Sequence, residues 1–142
     1  MSQTLKVVAV SLVAFAVYLP LAYLTGRDFV PQSVPEGEIV ERLMIIYPQN
    51  RYAYFSQSYG TSSYADLDMD NQKSPIIIYE DMTPLGPAHS QRVDVEDTGR
   101  GRYYHSRIDG KDGSLRFFIF STSDNSDPRT NGRTYWAVLP KD

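Results

Sequence analysis

Apolar positions fall into two regimes along this chain. Residues 7–24, VVAVSLVAFAVYLPLAYL, form one uncharged run of eighteen. Beyond residue 50, aromatic and β-branched residues come instead in short runs separated by turn formers. As a helix rising ~1.5 Å per residue the first run would be ~27 Å long, close to the ~30 Å core of a bilayer. Its five Val, four Leu and one Phe would favour insertion by about 3–6 kcal/mol before Ser11, Pro20 and the tyrosines are set against them. This pattern predicts an uncleaved single-pass anchor in a cell inner membrane. Lys6 and the chain amine precede it, which predicts a cytoplasmic N-terminus and a periplasmic C-terminal domain.

The expected organisation is an anchor over residues 1–26, a Pro- and Gly-punctuated connector over 27–38 and an extracytoplasmic β-domain over 39–142. Within 38–47, EIVERLMIIY, the residues Ile39, Val40, Leu43, Met44 and Tyr47 share one helical face, so a short helix is favoured over a strand. Strand signals follow at RYAYFS (51–56), SPIIIYE (74–80), GRYYHSRI (101–108), LRFFIFSTS (115–123) and TYWAVLP (134–140). DGKDGS reads as a hairpin turn, with Gly110 and Gly113 free to take positive φ. RFFIFS lacks alternation and so predicts a central strand covered on both faces. The polar stretch 56–73 is a long loop. The predicted fold is a single transmembrane helix plus a mainly antiparallel all-β domain, a small sandwich or barrel, with one short helix.

Charge and composition narrow the chemistry. All of the chain's acids but only thirteen of its fourteen Lys and Arg lie beyond residue 26, the exception being Lys6, so the segment from residue 27 carries a net charge near −4. That argues against a nucleic-acid surface. The chain has no cysteine, which excludes disulfides, thiolate metal sites and cysteine nucleophiles.

Two constellations remain. Asp66, Asp68 and Asp70 alternate as the first ligands of a calcium loop do, but Asn71 stands where the loop needs glycine and Ile77 where it needs glutamate, so a solvated acidic loop is the favoured reading. SDNSDPRTNGR (123–133) gathers Asp124, Asn125, Asp127, Arg129, Asn131 and Arg133 between two strands. As turn formers these predict a loop pinned by Asp–Arg pairs. As ligand groups they would bond sugar hydroxyls or acidic groups, with Tyr135 and Trp136 as a stacking platform. His89 and His105, each followed by serine, have no zinc-helix spacing and read as hydrogen-bonded structural residues.

YEDMTPLGPAHS (79–90), DTGRGRYYH (97–105) and FSTSDNSDPRTNGRTY (120–135) together resemble a small bacterial β-domain found at the tails of membrane-linked enzymes that build or decorate surface glycans. The resemblance covers about residues 75–137, and departs at Met82 and Thr83, where a glycine-containing turn is usual, and at Ser106, where an aromatic is usual. It carries no catalytic residues. The function expected is therefore a noncatalytic accessory or scaffolding subunit of a bacterial membrane complex, photosynthetic or respiratory for example. Its expected partners are integral membrane subunits and the bilayer, with no cofactor. The alternative is a membrane-tethered glycan-binding module.

Overall fold

In this computed structural model, residues 3–27, 33–66, 73–111 and 113–141 are described, with side chains inside the N-terminal helix described at Gln3, Ser11 and 13–23. The N-terminal helix and the domain from Ser33 onward are separate units.

The helix, α1 (Gln3–Arg27), is continuous through Pro20. Among the described residues no helix is long and apolar enough to cross a membrane. This finding overturns the expected transmembrane anchor, and with it the single-pass inner-membrane placement and the periplasmic assignment of the domain.

The domain is mainly antiparallel β in two four-stranded sheets. The strands are β1 (Ile39–Arg42), β2 (Ile46–Pro48), β3 (Tyr54–Ser56), β4 (Ile77–Glu80), β5 (Thr83–Pro84), β6 (Tyr103–Gly110), β7 (Gly113–Phe120) and β8 (Tyr135–Leu139), and one short helix, α2 (Arg92–Asp97), precedes β6. One sheet has the order β1-β8-β4-β5 and the other β2-β3-β7-β6.

The helix expected over 38–47 is instead the pair β1 and β2. The β-branched Ile39, Val40 and Ile46 suit a pleated surface, and β8 offers an unpaired edge that takes β1 in register from Ile39↔Leu139 to Arg42↔Trp136. Between the two strands Leu43 is buried, its amide donating to the Tyr135 carbonyl at 2.9 Å. The segment Leu43–Ile45 thereby carries the chain from one sheet to the other.

β7 lies between β3 and β6, as its continuous apolar run implies. Phe118 and Phe120 are fully buried in the core between the sheets, with Tyr54, Ile78 and Tyr135. The alternate residues Phe117 and Ile119 pack with Tyr104 and Val95 in a second core beneath α2. Each fully buried aromatic contributes about 1.5–3 kcal/mol of transfer free energy, so β7 anchors both layers. The β6–β7 hairpin closes at Gly110↔Gly113, with Gly113 at φ 126°.

Candidate functional site

The loop between β7 and β8 is built from its own side chains. Asp124 Oδ1 accepts from the Ser126 amide at 3.1 Å and from its hydroxyl at 2.6 Å. Asp127 Oδ1 accepts from the Arg129 amide at 2.9 Å. Asn131 Oδ1 accepts from the Arg133 amide at 3.1 Å, while its Nδ2 donates to the Tyr135 hydroxyl at 2.8 Å. These are the local side-chain-to-backbone turns that Asp and Asn favour.

Long-range bonds then fix the loop to the sheets. Glu80, buried at the end of β4, accepts from the Tyr135 hydroxyl at 2.9 Å, from Arg133 Nη1 at 3.2 Å and from the Ser123 hydroxyl. Arg133 Nη2 donates to Asp124 Oδ2 at 2.6 Å. Arg129 grips Asp127 through Nε and Nη2, at 2.9 and 2.6 Å. The Arg133 guanidinium, aided by bonds from Ser126, holds the Asp124 carboxyl far below the usual carboxylate range. Arg129 lowers Asp127 likewise. Burial, followed by the bond to Glu80, drives the Tyr135 hydroxyl well above its ordinary value, so it stays a donor.

This frame forms one wall of a cleft of about 410 Å³. The opposite wall is the sheet-crossing segment, from Arg42 through Leu43 and Met44 to Ile46. Arg42, Arg129 and Arg133 line the cleft together with Pro128, Gly132 and Tyr135, and no acidic residue does. Arg42 has no carboxylate partner among the described residues.

Of the residues singled out in the sequence, Arg129 and Arg133 reach the cleft, while Asp124, Asp127 and Asn131 hold the frame behind it. Asn125 has a different task. It sits at φ 65°, accepts from the Arg100 amide at 2.6 Å and donates to the Thr98 carbonyl at 3.1 Å, tying the loop to the end of α2. Tyr135 and Trp136 do not form one platform. Tyr135 joins Ala137 and Leu139 in the inter-sheet core, and the period of a strand turns Trp136 to the other face. There it is flanked by Arg42 and Tyr79, with its buried Nε1 unpaired.

The acidic triplet resolves only in part. Asp68 and Asp70 lie outside the described residues. Asp66 is buried, and its Oδ1 accepts from the Lys73 and Ser74 amides at 2.6 and 2.8 Å. Among the described residues no group of three or more His, Cys, Asp or Glu side chains is placed to hold a metal ion. Asp66 Oδ2 also lies 3.4 Å from His89 Nδ1, and the Ser74 hydroxyl is 2.8 Å from His105 Nδ1. His105 is 3% exposed and stacked on Phe118 at 3.9 Å between ring centroids. Burial pushes its pKa down to about 4, against the pull of Asp66.

Sequence reasoning missed Arg42, Glu80 and Ser123. Glu80 closes an apolar strand 53 residues before Arg133, and no local pattern links the two. Arg42 lies outside the apolar face of the helix expected over 38–47, and it meets the β7–β8 loop only once β1 has paired with β8.

No family model matches the chain, and no solved structure does. Increased rDNA silencing protein 4 of Debaryomyces hansenii is 30% identical over 100 residues, which cover 66% of this chain and 13% of that protein. The chain thus spans about 13% of the length of the curated relative it matches. That relative is a yeast protein, whereas the expectation from the sequence was a bacterial setting.

Proposed function

We propose that the domain from Ser33 onward is a noncatalytic accessory module that holds a partner component in the cleft between Arg42–Ile46 and the β7–β8 loop. The observation that carries this reading is the commitment of the three acids behind the arginines of the cleft wall. Glu80, Asp124 and Asp127 are each bound to arginine, and Glu80 to two hydroxyls as well. A general base must be free to reach a substrate proton, and each of these carboxylates is already engaged by an arginine. The wall that remains offers fixed guanidinium donors and apolar surface, which suits recognition. The intact chain purified from its native cells under non-denaturing conditions should carry a stoichiometric partner by native mass spectrometry. Migration as a lone monomer would overturn the proposal.

Glycan binding is the second reading, favoured by the amides and guanidinium groups that converge on the β7–β8 loop. Its aromatic support is weaker, since Tyr135 is absorbed by the core and Trp136 faces away. If Trp136→Ala and Asp127→Ala left a measured glycan affinity unchanged, this site assignment would fail.

A further inference from the structure

We propose that Asn131 is a site of spontaneous deamidation, held in check by the Tyr135 and Ser126 hydroxyls. The chemistry lies beyond the partner reading above and needs only this chain and water. Asn131 is the one asparagine followed by glycine; Asn50, Asn71 and Asn125 precede arginine, glutamine and serine. Glycine matters because the attacking group is the next residue's backbone nitrogen, and no Cβ stands in its approach. Gly132 is exposed at φ 76°, and nothing lies within 4 Å of where its Cβ would be. Its amide donates to no acceptor among the described residues. The nucleophile is therefore unshielded and free.

In the reaction the Gly132 nitrogen gives its proton to solvent base and bonds to Asn131 Cγ. The Cγ–Nδ2 bond breaks, and Nδ2 takes up a proton from solvent and leaves as ammonia. Water then opens the cyclic imide at either carbonyl, which yields aspartate or an isoaspartyl link at position 131. Water is consumed, ammonia is released and no redox change occurs. The Arg133 amide already donates to Asn131 Oδ1 at 3.1 Å. Negative charge develops on that oxygen when Cγ is attacked, so the bond stabilises it.

The leaving group is what the fold restrains. Asn131 Nδ2 donates to the Tyr135 hydroxyl at 2.8 Å and to the Ser126 hydroxyl at 3.0 Å, so both its protons are engaged. Cγ cannot swing onto the Gly132 nitrogen until these bonds open. Each hydroxyl has also committed its own proton, Tyr135 to Glu80 at 2.9 Å and Ser126 to Asp124 at 2.6 Å. Toward residue 131 they can only accept. An amide satisfies them and a carboxylate does not, because it brings lone pairs against lone pairs. Conversion therefore unpins the loop at Gly132 and Arg133, which line the cleft.

The experiment incubates the full chain at mildly alkaline pH and follows each asparagine by peptide mass spectrometry, with the isoaspartyl product read by enzymatic methylation. The parent should convert at Asn131 ahead of Asn50 and Asn125, and more slowly than the same chain unfolded in guanidinium chloride. Tyr135→Phe and Ser126→Ala, each freeing one Nδ2 proton, should speed conversion about fivefold, one hydrogen bond's share of the barrier. Glu41→Ala, which loosens the separate turn at Tyr59 and Gly60, should keep the parent's rate. No conversion at Asn131 under conditions that convert the unfolded chain overturns the site. A folded parent as fast as the unfolded chain, or hydroxyl variants at the parent's rate, overturns the restraint. Acceleration by Glu41→Ala equal to that by Tyr135→Phe would make global opening the gate and overturns the restraint as well.

Discussion

The Tyr135 hydroxyl donates to Glu80 Oε1 at 2.9 Å across the neighbouring strands β8 and β4, beneath the loop that ends in Arg133. One buried carboxylate thus receives Tyr135, Ser123 and Arg133 together. Removing one donor from such a hub costs less than removing the hub. Tyr135→Phe should destabilise the domain by about 1.5–3 kcal/mol, the net worth of a hydrogen bond to a charged acceptor. Glu80→Ala should cost about 3–5 kcal/mol, because it leaves a guanidinium and two hydroxyls without their acceptor. Urea midpoints of the two variants test this ordering; equal losses would mean that the Glu80 hub is not cooperative.

Much of the β-domain was legible because its signals are local. Period and β-branching marked the later strands, and the unbroken FFIF of β7 announced burial on both faces. The Asp–Arg pairing of SDNSDPRTNGR was also visible, since Asp127 and Arg129 are two residues apart. The 38–47 segment was not legible in the same way. Its apolar residues fit a helical stripe as well as a strand, and the deciding influence was the edge of β8, almost a hundred residues later. The cleft was hidden for the same reason: its two walls meet only once β1 has paired. Tyr135 and Trp136, adjacent in sequence, looked like one aromatic surface until strand alternation divided them between two faces.

Glu41 governs the turn that covers the edge of β1. Its carboxylate accepts from the Ser58 hydroxyl at 2.5 Å and from the Tyr59 and Gly60 amides at 3.0 and 2.6 Å. Carboxylate bonds to backbone amides are charge-assisted and near the strong end of the range. Glu41→Ala should therefore release the turn with a loss of about 1–3 kcal/mol. Amide hydrogen exchange should rise at Tyr59 and Gly60 with little change in β7. Uniform acceleration through the domain would point to global destabilisation instead.

His105 makes stability depend on pH in a defined window. Buried against Phe118 and bonded to Ser74, it is held neutral, with its pKa depressed from 6.5 to about 4. Asp66 and His89 are the titratable groups facing it, the first opposing and the second adding to the depression. Between pH 6.5 and 4 the unfolded chain binds the extra proton and the folded one does not. The contribution is whole above about pH 6.5, falls as pH drops through this window and is gone below about pH 4, a change of roughly 3 kcal/mol at 1.36 kcal/mol per unit. Thermal midpoints of the parent and of His105→Gln, measured from pH 7.5 to 4, should show a slope in the parent that the variant lacks. Equal slopes would place the acid sensitivity elsewhere.

Gly99 and Asn125 share one space. Gly99 sits at φ 65°, and a Cβ there would fall 2.2 Å from Asn125 Oδ1 and 3.0 Å from Tyr52 Cβ. Gly99→Ala therefore combines a left-handed backbone cost of about 1–2 kcal/mol with displacement of the Asn125 side chain, which breaks its bonds to Arg100 and Thr98. Asn125→Ala loses the same two bonds at about 1–3 kcal/mol and clears the Oδ1 from the new methyl group's path. The double variant should be less destabilised than the sum of the singles, by about 1–2 kcal/mol, because both lose the same bonds and the clash disappears. Strict additivity in a double-mutant cycle would show that the two residues do not act through one contact.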